Sequence, residues 1–272
     1  MTYLEKANSA SAYIQSQISQ QADTLVILGS GLGGFVEVLE EAVSIPYGQI
    51  PYFPVSTVAG HSGELMLGKV GDKWIWVMNG RFHYYEGYSM QEVTFPVRVM
   101  KYIGVSKLIV SNASGGVNPN YKVGSIAIIT DHINMMPEHP LRGKNDSRFG
   151  PRFVNMNEPY SPKMIAKIKA IAKASAIEVH DGVYLGLQGP TFETLHEYKM
   201  VKVLGADCVG MSTVPEVIVA RHMELETFGI SVITDIGSEE HLENITHDEV
   251  LKAAREAEPK VRHLIKELIL QY

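Results

Sequence analysis

Between residues 183 and 235 three short apolar runs alternate with two helical periods, with almost no slack between them. Val183-Tyr184-Leu185-Gly186-Leu187 has the continuous apolar character of a strand buried on both faces. After Gln188-Gly189-Pro190, Thr194 and Glu197 stand at capping-box spacing, and Leu195, Tyr198, Val201 and Leu204 follow at helical intervals. Gly205 closes that helix before the strand Cys208-Val209-Gly210-Met211. Thr213 and Glu216 repeat the capping-box spacing, with Pro215 in the first helical turn, where its missing N–H costs nothing. That helix reaches about Leu225, and Ile230-Ser231-Val232-Ile233-Thr234 is the third strand. Such an order predicts parallel strands joined by right-handed crossovers. Phe192-Glu193, Met211-Ser212 and Thr234-Asp235 then fall just past the carboxyl ends of three neighbouring strands. Open parallel sheets bind ligands at that edge, so these three sets mark the candidate site.

At 272 residues the chain can bury a large core as one α/β domain, residues 1–272. Its expected architecture is a mixed, mostly parallel, twisted sheet flanked by helices, with sites at strand carboxyl ends. The net charge of −6 provides no global basic field for nucleic acid or an anionic membrane, so neither is an expected partner. Any anionic substrate must be held by local geometry. The single cysteine, Cys208, excludes an internal disulfide and fits a reducing compartment. The N-terminus is polar and helical in pattern, without a signal peptide's apolar core, and no run approaches a membrane span. A soluble, cytoplasmic protein is the expectation.

The first strand, Thr24–Leu28, runs into Gly29-Ser30-Gly31-Leu32-Gly33-Gly34 and a helix expected near Phe35. Gly29, Gly31 and Gly34 have dinucleotide-loop spacing, but the acid about 20 positions on that should hold a ribose is missing. The stretch there is Gln49-Ile50-Pro51-Tyr52-Phe53-Pro54. Backbone N–H groups and Ser30 suit a free phosphate better, with a plain tight turn as the alternative. Gly60-His61-Ser62-Gly63 precedes a hairpin of 64–70 and 73–78, which ends at Asn79-Gly80. Arg81 and His83 follow two apart, on one face of extended backbone, where together they suit a phosphate or carboxylate. The alternative is a solvated arginine and a packed histidine. A helix over 91–103 and a strand over 107–111 lead to a small-residue loop, Asn112-Ala113-Ser114-Gly115-Gly116. A strand over 125–130 follows, then residues 137–160 without periodicity, which suits a lid, an interface or a disordered insert. A helix over 161–175, a polar loop over 236–247 and an amphipathic helix over 248–271 complete the chain.

The polar clusters gather on one edge, without Ser-His-Asp order, H-E-x-x-H or Cys/His ligand spacing. Hydrolytic triads and structural zinc are therefore not expected. Ser30, His61, Arg81, His83 and Ser212 supply only anion donors, whereas Phe192, Glu193, Met211 and Asp235 offer an aromatic face, a thioether and two carboxyl groups. The second set can hold a flat heterocycle bearing N–H groups. An anion site beside a base site suggests phosphate attacking a nucleoside.

The motifs Gly29-Ser30-Gly31-Leu32-Gly33, Gly60-His61-Ser62-Gly63, Gly80-Arg81-Phe82-His83, Asn112-Ala113-Ser114-Gly115-Gly116, Gly189-Pro190-Thr191-Phe192-Glu193-Thr194 and Gly210-Met211-Ser212-Thr213-Val214-Pro215-Glu216, in that order, resemble those of the trimeric purine nucleoside phosphorylases. The resemblance spans residues 25–250 and implies the nucleoside phosphorylase-I fold. It also implies reversible phosphorolysis of purine ribo- or deoxyribonucleosides to free base and pentose 1-phosphate, in a homotrimer. Inorganic phosphate is then the co-substrate, with no metal or organic cofactor. By the same resemblance Ser30, His61, Arg81, His83, the Ala113 backbone and Ser212 bind phosphate. Phe192, Glu193, Met211, Thr234 and Asp235 bind the purine, and Tyr85, Met211 and His247 the sugar. Phe153 reaches into a neighbouring subunit's sugar site. His83, Glu193 and Asp235 are the candidates closest to the chemistry.

A 5′-methylthioadenosine phosphorylase is the nearest rival, and His247 argues against it, because a methylthio group would leave a buried imidazole unpaired. A nicotinamide oxidoreductase rests on the glycine loop alone. A non-catalytic nucleoside-binding protein would not need separate anion donors beside the base site. Asp235 departs from the resemblance: enzymes strict for 6-oxopurines carry Asn there. A carboxylate cannot donate to O6 but can accept from a 6-amino group, so adenosine is expected alongside inosine and guanosine. The alternative is a carboxyl turned away or protonated, with specificity unchanged.

Overall fold

The computed structural model describes residues 1–57, 62–237 and 246–272. His61 and most of the expected 236–247 loop lie outside the described residues. In chain order the elements are α1 (Tyr3–Gln17), β1 (Thr24–Ile27), β2 (Glu40–Pro46), β3 (Glu64–Val70), β4 (Lys73–Asn79), α2 (Met90–Val93), α3 (Phe95–Tyr102), β5 (Lys107–Gly116) and β6 (Ile126–Asn134). Then follow α4 (Pro162–Ala174), β7 (His180–Gly186), α5 (Leu195–Val203), β8 (Cys208–Gly210), α6 (Val214–His222), β9 (Glu226–Ile236) and α7 (His247–Gln271).

The nine strands of the described residues join one sheet, in the order β2-β3-β4-β1-β5-β8-β7-β6-β9, and β9 pairs again with β5. The last five strands therefore close on themselves. The junction is β5, whose first half, Lys107–Val110, lies against β1. Where β1 ends at Ile27, β8 takes the same edge of β5 at Gly115 and Gly116. The other edge of β5 carries β9 along its whole length, with a register shift between Ser114 and Gly115. A Cβ at Gly115 would come within 2.8 Å of Asp235 Oδ2, and one at Gly116 within 2.8 Å of the Ile233 side chain. Only glycine permits that crowding.

Alternate residues of the central strands feed two cores on opposite faces, as the two-residue period requires. Leu25, Ile27, Trp76, Met78, Leu108 and Val110 point to one face, which α1, α3 and α6 cover through residues such as Ala10, Ile14, Val97, Val99 and Val217. Val26, Leu28, Ile75, Val77, Ile109 and Phe228 point to the other, beneath α4 and α7. The long α7 starts at a Thr246–Glu249 capping box and buries Ala257, Val261, Leu264, Ile265 and Leu268 at helical spacing. Each such Val, Leu or Ile burial is worth about 1.5–3 kcal/mol, so Leu264→Ala is a loss of about 2–5 kcal/mol once the cavity is included.

The structure departs from the sequence pattern in several places. Residues 112–116, expected as a loop, are the second half of β5, and β6 continues to Asn134. The 91–103 helix breaks at Thr94 into α2 and α3, with Pro96 opening the second piece. The helix expected near Phe35 is a 3-10 segment over Gly33–Val38. The largest correction concerns direction. β7 and β8 are parallel, but β9 runs parallel to β5 and antiparallel to β6, hence against β7 and β8. Thr234 and Asp235 also lie within β9 rather than beyond its end. Closure of the five-strand ring, which no local period reveals, accounts for both. Among the described residues no helix is long and apolar enough to cross a membrane.

Candidate active site

The carboxyl ends of β1, β4, β5 and β9 lie on one edge because these strands are parallel. β8 reaches that edge by a different route. It pairs with the last residues of β5 in the opposite direction, so its own carboxyl end runs back beside Asn112. One cavity results, lined by Ser30, Arg81, His83, Tyr85, Ala113, Phe192, Glu193, Met211, Ser212, Thr234, Asp235 and His247. Of the residues expected from sequence, His61 lies outside the described residues, and Phe153 stands elsewhere. Phe153 is 88% exposed and borders a separate hollow with His132, Asn134 and Met156.

A third hollow, of about 410 Å³, lies at the opposite edge, where β1, β4 and β5 begin. Its cations already have partners: Lys73 donates to the Ile269 carbonyl at 2.8 Å, and Lys107 pairs with Asp23 at 3.0 Å. Converging polar groups distinguish the carboxyl-edge cavity, not size.

At the anion end, Arg81 is 2% exposed. Its Nη1 donates to the Ser111 carbonyl at 2.8 Å and to Ser212 Oγ at 2.9 Å. Its Nε stands 3.2 Å from Glu216 Oε1, on a side chain equally buried. The expected Thr213–Glu216 capping box is absent, because Thr213 has φ 70° and ψ −54° and makes no side-chain cap. Val214 N–H instead donates to the Ser212 carbonyl at 2.7 Å, closing a γ-turn. Such a turn is strained, costing roughly 1–3 kcal/mol. Its consequences are local: Ser212 Oγ meets Arg81, Thr213 Oγ1 accepts from Asn112 Nδ2 at 2.9 Å, and Glu216 turns to the guanidinium.

His83 is held by Glu86, whose Oε1 accepts from the His83 backbone N–H at 2.8 Å and lies 3.1 Å from Nδ1. Burial lowers the imidazole pKa despite that carboxylate, so the ring is neutral near neutrality, with Nδ1–H toward Glu86 and Nε2 the acceptor nitrogen. Burial opposes ionisation of Glu86, but hydrogen bonds from His83 and Thr57 outweigh it and bring its pKa to about 2. Tyr85 stacks on His83, with ring centroids 4.7 Å apart. Ser30 sits in the turn after β1, where Gly31 takes φ +76°. Because only a 3-10 segment follows, the glycine loop has no α-helix N-terminus to receive a pyrophosphate.

At the base end, Phe192 is partly exposed and Asp235 is buried. Asp235 Oδ2 accepts from the Tyr198 hydroxyl at 2.8 Å, and Oδ1 accepts from Thr234 Oγ1 at 3.1 Å. Burial raises the Asp235 pKa against these two donors. Burial, with the like charges of Asp235 and Glu197, raises that of Glu193 to about 7. Two carboxyl groups with elevated pKa values share one cavity wall, an arrangement typical of sites that handle protons.

The superfamily model described as "Phosphorylase superfamily" matches residues 23–270. The chain belongs to the phosphorylase superfamily. Within the superfamily it is 46% identical over 260 residues to "Purine nucleoside phosphorylase 1" of Geobacillus stearothermophilus, covering 96% of this chain and 95% of that one. A solved purine nucleoside phosphorylase of Schistosoma mansoni, in complex with adenosine, superposes with a TM-score of 0.94 at 36% identity, over 100% of this chain and 99% of that one. A complex of a Schistosoma purine nucleoside phosphorylase with hypoxanthine matches equally well, with a TM-score of 0.94 and 36% identity over the same shares.

Sequence reasoning overlooked three residues that hold side chains of this cavity. Glu216 has the spacing of a helix cap, and Tyr198 that of a core position on α5, so neither pointed to the cavity. Glu86 left a usable signal, an acid three residues after His83.

Proposed function

We infer that the protein catalyses reversible phosphorolysis of purine nucleosides to free base and pentose 1-phosphate. The observation that carries this reading is the cavity itself, with Arg81, His83, Ser212 and Ser30 at one end and Phe192, Glu193 and Asp235 at the other. The naming of the 46% identical relative as a purine nucleoside phosphorylase supports it. A phosphate oxygen attacks C1′ as the C1′–N9 bond breaks, leaving positive charge on the sugar and negative charge on the departing purine. Phosphate held by the donors Ser30, His61, Arg81, the Ala113 N–H and Ser212, with His83 Nε2 accepting from its P–OH, stabilises the first; donors around the base stabilise the second. Holding both reactants near attack distance supplies much of the remaining acceleration.

On this reading Phe192 stacks on the purine, Glu193 accepts from N1–H, and Met211 and Thr234 line the base. Tyr85, Met211 and His247 contact the sugar. Phe153, exposed on the monomer, completes the sugar site of a neighbouring subunit in a cytoplasmic homotrimer. Inorganic phosphate is the co-substrate, and the reaction uses neither metal nor organic cofactor. Asp235 extends the range from inosine and guanosine to adenosine, since a carboxylate accepts from the 6-amino group.

A panel of inosine, guanosine, adenosine and methylthioadenosine, each with phosphate, tests this. Turnover of the first three with little methylthioadenosine cleavage is expected. Methylthioadenosine as the preferred substrate would overturn the assignment.

A further inference from the structure

Tyr198 has no role in the reactions described so far, yet it is 2% exposed, and its hydroxyl sits between the two carboxyl groups of the base end. It donates to Asp235 Oδ2 at 2.8 Å and also interacts with Glu193. The backbone makes room for it. A Cβ at Gly115 would stand 3.1 Å from the Tyr198 hydroxyl, and one at Gly237 would overlap the ring. A phenol has one proton to donate, so it cannot serve both carboxyl groups as donor at once.

We propose that Tyr198 is a specificity-determining positioning residue: by giving its proton to Asp235 it holds Asp235 as the acceptor and leaves Glu193 as the carboxyl that takes up a proton. This rests on the reading that Asp235 admits adenosine. A 6-aminopurine presents a donor at its amino group and an acceptor at N1. An ionised Asp235 and a protonated Glu193 match that edge. A 6-oxopurine presents N1–H, which an ionised Glu193 accepts. Gain or loss of a proton at Glu193 thus admits both classes, while an ionised Asp235 favours the 6-amino group over O6, to which it cannot donate.

The groups around this pair agree. Glu193 faces Asp235, Glu197 and Tyr198, and its pKa is pushed up to about 7. Glu197 accepts the Thr194 N–H at 2.7 Å and its pKa is lowered, so it is the fixed negative charge of the group. Asp235 faces Tyr198 and Thr234, both donors. His247 lines the same cavity from α7. Without the phenol, buried Asp235 loses its donor at Oδ2 and gains affinity for a proton, and the repulsion on Glu193 falls.

The experiment measures kcat/KM for adenosine and inosine in wild type, Tyr198→Phe, Asp235→Asn and the double variant. Tyr198→Phe is expected to lower the adenosine-to-inosine ratio about tenfold or more, the size of one hydrogen bond to a charged group, with phosphate KM unchanged. The double variant is expected to match Asp235→Asn alone, since Tyr198 acts through Asp235. A ratio within about twofold of wild type in Tyr198→Phe, or equal loss on both substrates, overturns the proposal. Wild type supplies a readout independent of any variant's folding: its ratio is expected to fall as pH rises through about 7, and a flat ratio overturns the proposal as well. Absence of adenosine cleavage by wild type would instead remove the underlying reading of Asp235, before any variant is made.

Discussion

Arg81 Nε and Glu216 Oε1 lie 3.2 Å apart, on side chains 2% and 3% exposed. A buried guanidinium and carboxylate at that distance neutralise one another, and together they decide where the guanidinium points. Removing one partner of a buried pair costs more than the pair contributes, because the other charge stays behind. Glu216→Ala is therefore expected to lower stability by about 3–5 kcal/mol and to raise phosphate KM, with Glu216→Gln milder on both counts. Thermal unfolding and phosphate titration of the two variants check this. Unchanged phosphate KM in a folded Glu216→Ala protein would show that Arg81 needs no such support.

Arg81→Ala is expected to impair phosphate use far more than nucleoside binding, by about 1.5–3 kcal/mol for a lost charge-assisted donor. Separate KM values for the two substrates decide it. A raised nucleoside KM with phosphate KM intact would place Arg81 at the wrong end of the cavity.

Most of the site was legible before the fold was. Arg81-Phe82-His83, Phe192-Glu193 and Met211-Ser212 stood at strand ends, and local periods are enough to locate those ends. Strand direction was not legible, because β9 reaches its partners through closure of a ring. Thr213 and Glu216 show how a local signal misleads: the spacing of a cap is present, but the buried Arg81 takes the carboxylate and a γ-turn replaces the cap. Tyr198 fits a helical stripe so well that its sequence gives no sign of the 2.8 Å bond to Asp235.

Glu193 bears on stability as well as on activity. Its folded pKa of about 7 lies above the unfolded value of 4.5, so the folded state holds a proton that the unfolded state releases between those pH values. Stability is lost as pH rises through that window, and the ionised group remains a cost above it. Glu193→Gln is expected to cost several kcal/mol of transition-state binding with 6-oxopurines while raising stability near pH 8 by roughly 1–3 kcal/mol. Calorimetry at about pH 5 and about pH 8 should show the gain only at the higher pH. Equal effects at both would contradict the elevated pKa.

Phe153 should matter only in the assembly. Mixing Phe153→Ala chains with Glu193→Ala chains is expected to restore part of the activity, because some sites then receive both intact residues. Verified mixed oligomers without recovery would mean that one chain builds the whole site.

Product analysis tests the central claim most directly. Inosine incubated with the protein and phosphate should yield hypoxanthine and ribose 1-phosphate in equal amounts, with no base released when phosphate is withheld. Hypoxanthine appearing with free ribose in phosphate-free buffer would contradict phosphorolysis and make the protein a hydrolase.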